Sequence, residues 1–236
     1  MFALFDFVCY YKWQREVENM KYAIFDLDGT VVDSMKYWRN FGRYYLIEKG
    51  YNPGENELER VESVNWAKGI CDYFYEHYHF ILTPGELYTW GMDFMKRKYS
   101  NDIKFKPGAV DLLEKLHNSG VKMCICSSTD YRLMEPALER LDIAKYFDFT
   151  VHCREYGKEK DDPEIFLYCM ERLGAKNQGE VAVFEDAYYS RSTAKSAGFY
   201  VVGMFDETEK NKDKMQAISD QYVTDYSQLD FSKLPG

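Results

Sequence analysis

The sequence predicts an α/β fold: a doubly wound parallel sheet with helices on both faces and a helical segment inserted into it. Three observations predict this. Short β-rich apolar runs alternate with stretches of helical periodicity along most of the chain. The first two of those runs are separated by a long helical stretch, residues 36–103. Several runs end on acids or hydroxyls, and open sheets of this kind gather their ligands at the carboxyl ends of the strands.

Taken in order, "YAIFDL" is the first strand. "SMKYWRNFGRYYLIEKG" follows with apolar and aromatic residues at helical spacing and a stop at Gly50. Helical patterns continue through about residue 103, with a turn at "LTPGE". "KPGAVDLLEKLHNSG" reads as a helix opened by Pro107 and closed by Gly120, leading into the strand "VKMCICSS". Then come the strand "FDFTVHC", the helix "PEIFLYCMERLG", the strand "VAVFED", the helix "SRSTAKSAG" and the strands "FYVVGM" and "QYVTDY". The pattern divides the chain into an N-terminal extension over 1–20, a core built from 21–35 and 104–236, and a helical insertion over 36–103.

Composition narrows the function. The 236 residues carry a net charge of −9, which leaves no basic surface for a nucleic-acid backbone or an acidic membrane. Six cysteines (Cys9, Cys71, Cys124, Cys126, Cys153 and Cys169) at scattered spacing fit free thiols in a reducing compartment, and the expected location is cytoplasmic. The apolar start "MFALFDFVCYY" lacks a basic leader and a small-residue cleavage site, and is shorter than the roughly 20 residues a span needs. It reads as an upstream extension or alternative start before Met20, or as an amphipathic helix docked on the core.

Four segments converge on one rim: Asp26 and Asp28; Ser127 and Ser128; Lys160; and Glu185 with Asp186. So many carboxylates near an interior need neutralising, and a hard divalent cation does that. Mg²⁺ takes oxygen ligands and keeps waters beside one or two carboxylates and a phosphate oxygen, a role open to Asp26 and Asp186. An aspartate can attack phosphorus to give an aspartyl phosphate, while a neighbouring carboxyl donates a proton to the leaving alkoxide and takes one from water. Lys160 would offset charge at the nucleophile, and Ser127 with nearby amides would bind phosphoryl oxygens.

These residues resemble the haloacid dehalogenase superfamily of phosphohydrolases, in particular the subgroup with a helical cap after the first strand, which includes phosphoglycolate-phosphatase-like and β-phosphoglucomutase-like enzymes. The resemblance runs through "FDLDGTVVDS", the Ser127 of "CICSS", Lys160 in "KDDPEIF" and "VFEDAYYSRSTAKSAG". It implies a Rossmann-like doubly wound core with a movable helical cap domain over 36–103. It further implies that Asp26 is nucleophile and metal ligand, that Asp28 is acid/base and lends its carbonyl to the metal, and that Ser127 and Ser128 bind phosphate. Lys160 would bind phosphate and orient the nucleophile, and Asp186 would complete the Mg²⁺ site with Glu185 adjacent or acting through water. The implied partner is a small phosphorylated metabolite and the implied protein a monomer or weak homodimer. Asp28 favours phosphoryl transfer, since the metal-independent dehalogenases lack a carboxylate there. The alternatives are a β-phosphoglucomutase-like phosphotransferase and a catalytically silent protein of the same fold.

The sequence departs from the family at several points. Asp161 replaces the proline that often follows the lysine, Lys158 competes for the lysine's role with the wrong spacing to Pro163, and Ser190 stands where many relatives have glycine. Trp38 occupies the place where the mutases commonly have histidine, which lowers the mutase reading. Cys124 and Cys126 share one face of a strand and read as small core residues, as do Cys153 and Cys169. His77 and His79 are two apart and share no helix face, so they read as surface or packing residues. The aromatics from Tyr37 to Tyr99 read mostly as packing within the insertion. Arg39, Arg43 and Lys68 are its candidates for meeting a second anionic group, against the ordinary reading of solvated cations.

Overall fold

The structure, a computed structural model, describes residues 20–54, 57–58, 66–209 and 212–236. The N-terminal extension over 1–19, with Cys9, lies outside the described residues. Six parallel strands form the sheet: β1 (Tyr22–Phe25), β2 (Lys122–Ser127), β3 (Phe149–His152), β4 (Val181–Glu185), β5 (Tyr200–Met204) and β6 (Gln221–Val223), in the order β3-β2-β1-β4-β5-β6. The chain leaves β1 toward β2 and β3, then crosses back to β4 on the other side. That reversal puts the crevice of a doubly wound sheet beside the tip of β1.

Alternation along β1 and its neighbours fills a core on each face. Ala23 and Phe25 enter one buried cluster with Leu112, Leu116 and Met134, while Ile24 enters the other with Val183, Ile165 and Phe166. Phe25 and Phe184, level with each other on adjacent strands, stack at 4.2 Å between ring centroids. Cys124, Cys126, Cys153 and Cys169 are free and fully buried in the second cluster, the core role expected of them.

Between β1 and β2 lie α1 (Met35–Arg39), α2 (Phe41–Glu48), α3 (Trp66–Tyr78), α4 (Pro84–Asn101) and α5 (Ala109–Asn118). The continuous helix read from Ser34 to Gly50 is broken at Asn40, whose side-chain amide donates to the carbonyl of Lys36 (2.8 Å) and so competes with the helical ladder. The turn at "LTPGE" is the start of α4. Thr83 and Glu86 form a reciprocal capping box, and Pro84 occupies the first helical position, where its missing N–H costs nothing. Phe41, Tyr45, Phe74, Trp90 and Phe94 make a ring cluster inside the insertion. Gly91 permits it, because a Cβ there would sit 1.5 Å from the Phe41 ring. His77 and His79 are exposed.

After β2 comes α6 (Tyr131–Arg140), which sequence patterning did not reveal because Pro136 interrupts it. Asp130 caps it by accepting from the Arg132 N–H (3.0 Å). Arg140 at its end donates to the carbonyls of Tyr99 (3.1 Å) and Ile103, tying the end of α4 to the core. The remaining helices are α7 (Cys153–Tyr156), α8 (Glu164–Leu173), α9 (Tyr188–Ser196) and α10 (Lys212–Ile218), the last also unread in the sequence. Among the described residues no helix is long and apolar enough to cross a membrane.

Candidate active site

The end of β1 sets the site. The Asp26 N–H still donates to the Phe184 carbonyl (2.9 Å), so Asp26 is held at the sheet's edge as the last rung of the ladder. The chain then turns tightly, with the N–H groups of Val31 and Val32 both donating to the Leu27 carbonyl at 2.9 Å. Gly29 has φ +78°, and a Cβ there would lie 2.2 Å from an Asp186 carboxylate oxygen. Only glycine meets both demands, which accounts for the residue behind the aspartate pair.

Around that tip the predicted residues converge. Asp26, Asp28, Ser127, Lys160, Glu185 and Asp186 are all buried, and ligand-capable oxygens of Asp26, Glu185 and Asp186 lie within 4.8 Å of one another. Lys160 donates to Asp26 and to Glu185 (2.6 Å). Lys158 pairs at the surface with Asp162 (2.7 Å) and Glu164 (3.1 Å), and Asp161 is exposed. Glu185 has no acceptor to spare: it takes Lys160 and the Ser190 hydroxyl (2.6 Å) on one oxygen, and the N–H groups of Asp186 (3.0 Å) and Ala187 (3.1 Å) on the other. Ser190, where a glycine is common, is thereby a donor to the acidic loop. The buried Ser127 hydroxyl accepts from the Thr129 N–H (3.1 Å). Ser128 is exposed and donates to Glu159 (2.9 Å).

The carboxyls differ in how they are compensated. Burial lifts the Asp26 carboxyl well above the usual range although Lys160 pulls the other way, and burial together with the charges of Glu185 and Asp26 lifts Asp186 likewise. Burial also penalises the Glu185 anion, but Lys160, Ser190 and the Ala187 N–H outweigh it and hold that carboxyl low. Burial pulls the Lys160 ammonium down and its two carboxylate partners more than reverse this.

Among the described residues, the Asp186 side chain has no hydrogen-bond donor or ion-pair partner in contact. The buried charged groups at this rim are Asp26, Asp28, Glu185 and Asp186 against Lys160 and Arg191. The deficit is two positive charges, the charge of one divalent cation. The donor set is all oxygen, which suits a hard ion such as Mg²⁺.

Sequence reasoning missed several residues here. Asp28 accepts from Ser34 (2.5 Å), Thr129 (2.7 Å) and Tyr99. Arg191 is fully buried and donates to the carbonyls of Asp186 (2.8 Å) and Met204 (2.5 Å), in space left by Gly203. A cavity of about 340 Å³ opens beside Asp28, walled by Trp38, Phe41, Tyr88 and Met92 of the insertion and by Met35, Ser128, Thr129, Leu133 and Arg154 of the core. None of Arg39, Arg43 and Lys68 lines it. Lys68 pairs with Asp72 (2.6 Å) in the open and Arg39 reaches Glu209 (3.8 Å), so the cation at the cavity is Arg154.

A family model described as haloacid dehalogenase-like hydrolase matches residues 23–204. The chain is 31% identical over 188 residues to a phosphorylated carbohydrates phosphatase of Thermotoga maritima, covering 76% of this chain and 82% of that one. It is 25% identical over 185 residues to the fructose-1-phosphate phosphatase of Escherichia coli, covering 76% and 93%. Among solved structures, that of a putative β-phosphoglucomutase from Thermotoga maritima superposes with a TM-score of 0.73 at 28% identity, covering 86% of this chain and 94% of the other.

Proposed function

The chain belongs to the haloacid dehalogenase-like hydrolases, and from that premise we propose that it is a cytoplasmic, Mg²⁺-dependent phosphatase of a small phosphorylated metabolite, acting through an aspartyl phosphate on Asp26. The observation that carries the reading is the uncompensated Asp186 carboxylate beside Asp26, in a site two positive charges short. Mg²⁺ held by Asp26, Asp186 and the Asp28 carbonyl, when bound, supplies the charge that lets an anionic phosphoryl group approach a carboxylate. Glu185, with both oxygens engaged, fixes Lys160 and would support the ion without binding it directly.

In the first step an Asp26 oxygen bonds to phosphorus as the ester oxygen departs, and Asp28 gives that oxygen its proton. In the second, water adds to phosphorus while Asp28 takes a proton from it, freeing inorganic phosphate and the Asp26 carboxylate. Lys160 aims Asp26 and opposes the protonation that burial favours there, while Ser127 and the amides after it hold phosphoryl oxygens. The insertion over 36–103 serves as the cap: its apolar wall holds the leaving group and excludes water.

A mutase is the nearest alternative, supported by the likeness to the structure described as a putative β-phosphoglucomutase from Thermotoga maritima. Phosphate release from a panel of phosphorylated metabolites, with and without Mg²⁺, tests the reading. Metal-dependent release is expected. Isomerisation of β-glucose 1-phosphate without release would replace the phosphatase with the mutase.

A further inference from the structure

Asp28 is gripped from three directions. Ser34 and Tyr99 donate to one carboxylate oxygen and Thr129 to the other, and Asp28 also borders the cavity. Two of these hydroxyls come from segments next to strand tips. The third comes from α4, 71 residues away in the insertion. Tyr99 has no exposed surface, and its oxygen accepts the Trp38 indole N–H at 3.0 Å. Trp38 in turn forms part of the cavity wall. Arg140 holds the same turn of α4 by its carbonyls, so the phenol is fixed from the core as well as from the insertion.

We propose that Tyr99, backed by Trp38, is a positioning residue: it aims the Asp28 carboxyl at the ester oxygen of whatever leaving group lies in the cavity. The inference rests on the phosphatase reading. A carboxyl with both oxygens held by fixed hydroxyls has one orientation, and proton transfer to a leaving group depends on that orientation. Because the grip includes a phenol from the insertion, the insertion must be docked on the core for Asp28 to be aimed. A phenol that merely packed would need no hydroxyl, and Trp38 would have no buried acceptor to satisfy.

The test uses the full chain with Mg²⁺ and two esters of matched shape, phenyl phosphate and p-nitrophenyl phosphate. Their kcat/KM values report phosphoryl transfer and leaving-group departure. Only the poorer leaving group, phenolate, needs much protonation. Tyr99→Phe is expected to lower kcat/KM for phenyl phosphate by about tenfold or more and for p-nitrophenyl phosphate by less than about threefold. Trp38→Phe should shift the ratio in the same direction by less. An equal fall for both esters, or none, would overturn the inference, since damaged packing does not discriminate between leaving groups. Should Tyr99→Phe not be recovered folded, an unchanged ratio in Trp38→Phe overturns it. Failure of wild type to release phosphate from either ester, or full release by Asp26→Asn, would overturn the phosphatase reading and the inference with it.

Discussion

Two buried charge clusters in this molecule are built on opposite terms. Lys106 and Asp206 pair at 2.9 Å with side chains 8% and 3% exposed, and Asp206 also accepts from the Thr208 N–H (2.9 Å) and hydroxyl (2.5 Å). Each charge there has its opposite and the aspartate is saturated with donors. At the tip of β1, Lys160 is shared between Asp26 and Glu185, while Asp186 has no contacting donor among the described residues. A closed pair serves the fold. An open cluster is kept at the expense of stability, and the proposed Mg²⁺ would supply the missing charge.

The largest effect should come from opening the closed pair. Lys106→Met strands a buried carboxylate and is expected to destabilise the protein by about 3 kcal/mol or more, roughly 6–12 °C in Tm, while phosphatase activity well below the transition persists. A variant as stable as wild type would mean the pair is not closed. The next effect comes from closing the open cluster. Mg²⁺ at roughly a hundred times its dissociation constant should stabilise wild type by about 2–3 kcal/mol, reversed by EDTA. Asp186→Asn should lose that response while being no less stable without metal, as it removes an uncompensated charge. An undiminished Mg²⁺ shift in Asp186→Asn would remove Asp186 from the metal site.

The smallest effect is the share of the acid dependence of stability that the closed pair contributes. Burial acts to raise the Asp206 carboxyl, but Thr208 and Lys106 outweigh it and hold it below the usual range. A folded-state carboxyl held low contributes stability that is fully present above the unfolded value near 3.9 and is lost as pH falls through the folded value. Thermal melts from pH 6 down should show this acid loss in wild type, and Asp206→Asn should flatten it. An identical acid limb in both proteins would contradict the assignment.

What was legible in the sequence follows from locality. Asp26, Asp28 and the acidic pair lie at the ends of apolar runs, so strand patterning gathers them at one rim, while Lys160, in the loop before a helix, is singled out by the family's lysine-to-proline spacing. Arg191 was not legible, since a charged residue on a polar helix reads as solvent-facing until Gly203 is seen to make room for it. Tyr99 was hidden among many aromatics. Its phenol reaches Asp28 only because α4 returns to the core, a long-range consequence that no local spacing records. The break at Asn40 and the Pro136 helix failed for a related reason: one side chain competing with the backbone, and one ring tolerated where a short helix packs well.

The most direct test is to trap the covalent enzyme. Acid quench of wild type in the first turnovers with Mg²⁺ and a hydrolysable phosphate ester, followed by peptide mapping, should place a hydroxylamine-labile phosphoryl group on the peptide holding Asp26. Asp26→Asn should carry none and turn over more than about a thousandfold more slowly. A phosphoryl group on another residue, or Asp26→Asn turning over at the wild-type rate, would contradict the account.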